Sequence, residues 1–242
     1  MDIHGIIHFF TEPYLHASAL QISLEIIAAT LGIASVFYAK KENILVYPTG
    51  IISTGIYVYL LSQWQMYGDL IINIYYTVMS IYGWYMWSKL IDGEHHIPIT
   101  RSDKKDYLIA TAIFVSTAAL VVFVYRYDWH GDGKPVMPEM GVGETFSYIL
   151  SHIREGTAKS FRQITPYFDT FTTGAAFSAM WLMANKKLEN WTFWIAVNIV
   201  SVPMYFVKGF GFTGIQYFIF LILAIQGYQS WKKSLNNNPS MS

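Results

Sequence analysis

Apolar residues run in seven blocks along the chain, at 19–39, 44–62, 69–88, 107–126, 166–184, 191–207 and 212–231. Each approaches the roughly 20 residues that a helix needs to cross the hydrocarbon core of a bilayer, so the pattern predicts seven transmembrane helices. The polar positions inside these blocks are ordered. Asn43, Tyr47, Gly50, Thr54 and Tyr57 step by four and three along the second block, and Asn73, Tyr76, Ser80 and Trp84 step similarly along the third. Trp191, Trp194, Asn198, Ser201 and Tyr205 form a stripe on the sixth, and the seventh adds Gln216 and Gln226. A helix gathers each set on one face, and lipid cannot satisfy hydrogen-bonding groups. The stripes are therefore predicted to face a shared interior. Tyr59, Trp64, Trp87 and Trp231, near block ends, read instead as glue between helices or as interfacial aromatic belts.

The blocks also repeat. SIYGWYMWSK (80–89) closes the third and AIQGYQSWKK (224–233) closes the seventh, with Ile81/Ile225, Gly83/Gly227, Trp87/Trp231 and Lys89/Lys233 at a constant offset of 144. KKEN (40–43) before the second block resembles KKLEN (186–190) before the sixth. The fold expected is an all-α integral membrane protein of seven transmembrane helices. Two parallel three-helix repeats, 19–88 and 166–231, are joined by a linker helix at 107–126, the 3+1+3 plan of SWEET transporters. An N-terminal segment (1–18), a loop on the outer side (127–165) and a tail (232–242) complete the chain. Within the loop, GETFSYILSHIREG (143–156) predicts a short amphipathic helix lying on the membrane surface. No signal peptide is read in the first residues, which lack Lys and Arg.

Composition and charge narrow the picture. Hydrophobic residues make up 53% of the chain and charged residues 13%, against about a quarter charged in soluble domains, and the mean hydropathy is +0.32. Sixteen basic and sixteen acidic residues balance, which gives no reason to expect nucleic acid as a partner. Cysteine is absent, removing disulfides and thiolate metal sites. Lys40, Lys41, Lys89, Arg101, Lys104, Lys105, Lys186, Lys187, Lys232 and Lys233 all fall on one side of the predicted membrane. Basic loops mark the cytoplasmic side, so the N-terminus is expected outside and the C-terminus inside.

Two acids, Glu25 and Asp169, lie within blocks at corresponding places in the two repeats, and Asp69 sits at the edge of the third block. An acid at membrane depth is disfavoured by at least about 2.5 kcal/mol and marks a pathway or a paired site. Asp169, three residues after Pro166, also fits a helix N-terminal cap, and both readings stand; for Glu25 a cap or packing role is expected. Enzyme motifs are weak. HGDGK (130–134) lacks the spacing of a phosphate loop, His95 and His96 are adjacent where metal ligands on one helix face need a spacing of three or four, and His4, His8, His16, His130 and His152 are scattered over loops. No cofactor, metal or catalytic group is expected, and the different-class alternative is an intramembrane enzyme.

YGWYMW at the end of the third block, YFDTFTTGAAFSAMWLMANKKLENW through the fifth and NWTFWIAVNIVSV in the sixth resemble the PnuC family of vitamin transporters over about residues 20–233. The resemblance implies the two-repeat bundle with a linker helix, often trimeric, in a bacterial inner membrane. It implies uptake of nicotinamide riboside by facilitated diffusion, with phosphorylation in the cytoplasm trapping the vitamin; relatives carry thiamine or riboflavin. The family's binding pattern carries over to Trp194 and Asn198 of the ENWxxWxxxN motif and to Asn73, where relatives often have Gln.

Such a cargo suits the residues. Nicotinamide riboside is a flat pyridinium cation on a neutral ribose, and an aromatic wall attracts a desolvated cation by about 2 kcal/mol. Trp194 with Tyr76 or Trp191 can supply that wall, while Asn73, Asn198 and Gln216 offer donors and acceptors for carboxamide and hydroxyls. The substrate-binding set expected is Trp194, Asn198, Asn73, Tyr76, Trp191, Gln216, Asp169 and Tyr47. No Arg precedes Arg126 in the blocks, so a phosphate would lack a bidentate partner. Thiamine, another flat aromatic cation, is the alternative cargo.

Overall fold

A computed structural model describes residues 11, 15, 17–64, 67–89, 97–126 and 136–237. His4, His8, His16, His95, His96 and the HGDGK stretch lie outside these residues. Among the described residues eight helices follow one another: α1 (Ala19–Lys40), α2 (Val46–Gln63), α3 (Tyr67–Ser88), α4 (Lys104–Arg126), α5 (Val142–Glu155), α6 (Ala158–Ala184), α7 (Asn190–Lys208) and α8 (Gly211–Asn237).

Local chemistry sets several of these ends. Ser18 caps α1 through a reciprocal pair in which the Gln21 amide donates to Ser18 Oγ and the Ser18 amide to Gln21 Oε1, satisfying two otherwise orphaned donors. Thr157 caps α6 in the same way with Ser160. This helix begins eight residues before the expected block and runs through Pro166. The missing proline N–H frees the carbonyl of Arg162, and the Thr165 hydroxyl donates to it at 2.9 Å. Asp169 therefore lies well inside α6, and the reading of Asp169 as an N-terminal cap is corrected. Glu25 likewise stands beyond the first turn of α1.

The helices are inverted relative to a soluble protein. Ile26, Leu108, Val115, Leu120 and Phe123 point outward, whereas Ser53, Ser80, Asn198 and Ser201 are buried, as a bundle solvated by lipid requires. By length and composition four helices, α1, α4, α7 and α8, are apolar enough to cross a membrane. The expectation of seven such blocks is met only in part, because α2, α3 and α6 spend many positions on Thr, Asn, Tyr and Asp.

Neighbours pack in order: α1 on α2, α2 on α3, α6 on α7 and α7 on α8. Contacts between the triplets cross, α1 meeting α8 and α3 meeting α6, with α4 against α6 and α5 against α6. The offset of 144 reappears in three dimensions. Trp87 Nε1 donates to the Met183 carbonyl at 3.2 Å and Trp231 Nε1 to the Ala39 carbonyl at 3.0 Å; donors and acceptors alike are 144 residues apart. Tyr47 packs edge-on against Trp87 at 5.1 Å, and Trp191 against Trp231 at 5.5 Å. A Cβ on Gly83 would collide with the Tyr47 ring and one on Gly227 with the Trp191 ring, so each close approach requires glycine. The turns that follow α1 and α6 both place a side-chain-bearing residue in the left-handed region, Glu42 at φ 55° and Lys186 at φ 50°.

One feature breaks this correspondence. Residues 97–103 run alongside the α6–α7 turn, where the Thr100 amide donates to the Lys186 carbonyl and the Leu188 amide to that of Thr100. Glu189 accepts from the Ser102 amide, and Lys187 pairs with Asp106 at 2.8 Å. Burial pulls the Lys186 ammonium below the usual lysine range against the pull of Glu42, and its Nζ lies 4.6 Å from the Trp87 ring centroid.

Candidate substrate cavity

Every helix except α5 contributes to one cavity of about 720 Å³ inside the bundle, within the usual range for a small-molecule site. One end is closed by the buried cluster that includes Tyr47, Trp87, Trp191 and Trp231, beside the basic turns at Lys40 and Lys186. The other end carries Glu25, Trp64, Asp69, Asp169 and Lys208.

The stripe on α7 faces this space in full: Trp191, Trp194, Asn198, Ser201 and Tyr205 all line it. Trp194 and Tyr76 meet edge-to-face with centroids 6.3 Å apart, forming an aromatic corner. Asn198 is 3% exposed and makes no hydrogen bond with another described residue, so its carboxamide is free to bind something in the cavity. A ligand offering both a donor and an acceptor can pair with the two ends of this amide. Gln216 and Asn73 also line the wall, but the Asn73 Nδ2 already donates to the Asp69 carbonyl at 2.9 Å, leaving Oδ1 as its free end. Tyr205 and Tyr217 stack at 4.8 Å and extend the aromatic lining.

Of the eight expected site residues, seven line the cavity and one does not. Tyr47 lies behind the wall, 1% exposed and packed on Trp87 and Gly83; its step along the α2 stripe turns it toward α3, while Gly50, Thr54 and Tyr57 stay on the cavity side. Trp191 has both roles, its ring packed against Gly227 and Trp231 and its Nε1 buried without a hydrogen-bond partner. Trp84 and Gln226 point out of the bundle, and Gln226 accepts from Lys40 Nζ.

Asp169 has a partner that its own helix did not reveal. Lys208 Nζ, at the end of α7, reaches both carboxylate oxygens at 2.7 Å, and the Tyr125 hydroxyl of α4 donates to Oδ2 at 3.2 Å. Three helices are thereby tied at the cavity end. Lys208 reads from the sequence as a loop residue, and periodicity within one helix cannot pair groups 39 positions apart. Glu25 and Asp69 in the lining were similarly invisible as cavity residues. The recurrence at 144 was the one available signal, because it maps Glu25 onto Asp169.

An apolar exterior around an aromatic and polar cavity fits a multi-pass membrane transporter, and among the described residues no group of three or more His, Cys, Asp or Glu side chains could hold a metal ion. The profile of the nicotinamide mononucleotide transporter family matches residues 22–233, and the chain belongs to that family. It is 23% identical to the nicotinamide riboside transporter PnuC of Escherichia coli over 99% of this chain and 98% of that one. Identity to the PnuC of Neisseria mucosa is 27%, covering 86% and 71%. The riboflavin/roseoflavin transporter RibM of Streptomyces davaonensis is 22% identical over 63% of this chain and 58% of its own. A crystal structure of the vitamin B3 transporter PnuC superposes with a TM-score of 0.61 at 21% identity, covering 88% of this chain and 82% of that one, so the two share a fold.

Proposed function

We propose that the chain carries nicotinamide riboside inward across a bacterial inner membrane by facilitated diffusion, the cargo being trapped afterwards by phosphorylation. The observation that carries this reading is the meeting of the Trp194–Tyr76 corner with the unpartnered Asn198 amide in one cavity. The rings suit a pyridinium face, and the amide suits a carboxamide, which pairs donor with acceptor in both directions. The family's description names the mononucleotide, whereas the Escherichia coli and Neisseria relatives are named for the riboside. The cavity favours the riboside. Among the described residues its one lysine is held by Asp169 at both carboxylate oxygens and Arg126 does not line it, so among them a phosphate dianion finds no free cation.

The mechanism we propose is alternating access by rocking of two parallel three-helix repeats, α1–α3 and α6–α8, joined by α4 as a seventh span. The Trp87–Met183 and Trp231–Ala39 bonds support it, since they relate the triplets by a twofold exchange across the cavity's closed end. The basic turns support a cytoplasmic position for that end, hence an outer N-terminus. A homotrimer is the assembly that the resemblance implies, and sedimentation in detergent checks it. Uptake is taken to be uncoupled; its collapse in proteoliposomes when proton and sodium gradients are removed, with the riboside gradient kept, would refute this.

Calorimetric titration of the detergent-purified protein and a Trp194→Ala variant tests the cargo. Binding of the riboside but not of the mononucleotide, riboflavin or thiamine, lost in the variant, is expected. Thiamine or riboflavin binding alone would reassign the cargo within the same scaffold, and no binding would return the rings to packing.

A further inference from the structure

We propose that the cavity selects its cargo by charge: Asp69, assisted by Glu25, makes the open end a site for an organic monocation and disfavours neutral and anionic analogues of the same shape. This rests on the riboside reading and deepens it. Among the described residues four carboxylate or amino side chains line the cavity, the acids Glu25, Asp69 and Asp169 and the base Lys208, and their formal charge is negative. Lys208 is committed to Asp169 at 2.7 Å. Asp69, on α3 of the other triplet, lies within Coulombic reach of both, yet its carboxylate makes no ion pair or hydrogen bond with a described residue. Glu25 occupies the place in the first triplet that Asp169 has in the second.

Asp69 stands in the first turn of α3, where the helix N-terminus favours a negative charge, and a carboxylate kept ionised there attracts a cation in the cavity. The independent sign of a ligand is Asn198, 3% exposed and unpartnered, deeper in the same cavity. A pyridinium resting against Trp194 and Tyr76 is then drawn in by the acids and held by the rings, while a phosphate adds repulsion to its lack of a partner. Inorganic sodium would answer the same charge, so the test separates the two.

The measurement uses the full chain in lipid nanodiscs and three ligands: nicotinamide riboside, its neutral dihydro form with the same ribose and carboxamide, and the mononucleotide. Wild type is expected to favour the cation over the dihydro form by about tenfold or more. Asp69→Asn and Glu25→Gln are each expected to shrink that ratio severalfold, and thermal unfolding of each variant in the same nanodiscs reports an intact fold. Asp69→Glu, keeping the charge, is expected to preserve the ratio, and replacing sodium with potassium at fixed ionic strength to leave it unmoved. An unchanged ratio in both neutralised variants, with riboside binding intact, overturns the proposal. So does a requirement for sodium, which would make Asp69 part of an inorganic cation site. Failure of wild type to bind the riboside at all would instead bring down the functional reading.

Discussion

At the closed end of the bundle, Tyr47 packs on Gly83 and Trp87 as Trp191 packs on Gly227 and Trp231. In the cavity, by contrast, Gly50 stands where the second triplet has Trp194, Thr54 where it has Asn198, and Ile72 where it has Gln216. Positions that hold the triplets together thus match in kind, whereas several that line the cavity do not. A twofold lining would present the same groups twice, which suits a symmetric ligand; a solute with a charged ring at one end and a sugar at the other is better met by unlike walls.

Substitutions can break or sharpen that contrast. Gly83→Val and Gly227→Val are expected to act alike and most severely, each lowering stability by about 3 kcal/mol because a ring must be displaced; thermal unfolding in detergent measures it. If only one of the two mattered, the equivalence of the triplets would fail. Trp194→Ala is expected to weaken riboside binding about 30-fold in calorimetric titration. Trp87→Phe and Trp231→Phe remove one hydrogen bond each and should cost about 1 kcal/mol apiece, again equally. Smallest is the effect of acid on the start of α4, where Asp103 accepts from the Asp106 amide and is held below the usual aspartate range by that bond. Its contribution is present above the unfolded aspartate value and is lost as pH falls through the lowered folded value. Amide exchange at residues 104–106 should rise in that window, and in Asp103→Ala at neutral pH.

The sequence made the scaffold legible and the charge network only in fragments. The 3.6-residue period exposes a face, so the α7 stripe from Trp191 to Tyr205 reads directly as cavity lining. The same logic misplaces Tyr47, because whether a face meets solvent-filled space or a neighbouring ring depends on the partner helix, and Gly83 lets α3 come close. α6 reads too short because Arg162 and Lys159 lower its hydropathy, although Thr157 and Ser160 signal its true start. Lys208 and Asp169 meet only through the packing of α6 on α7, a distance that no local pattern encodes. The recurrence at 144 reaches further than periodicity does, since it pairs Trp87 with Trp231 and Glu25 with Asp169 before any packing is known.

The most direct test of the central claim is a structure of the protein with nicotinamide riboside bound. The pyridinium is expected against Trp194 and Tyr76, its carboxamide on Asn198 and the positive ring in the field of Asp69. A riboside lodged outside this cavity, or inside it with Trp194 and Asn198 untouched, would contradict the account.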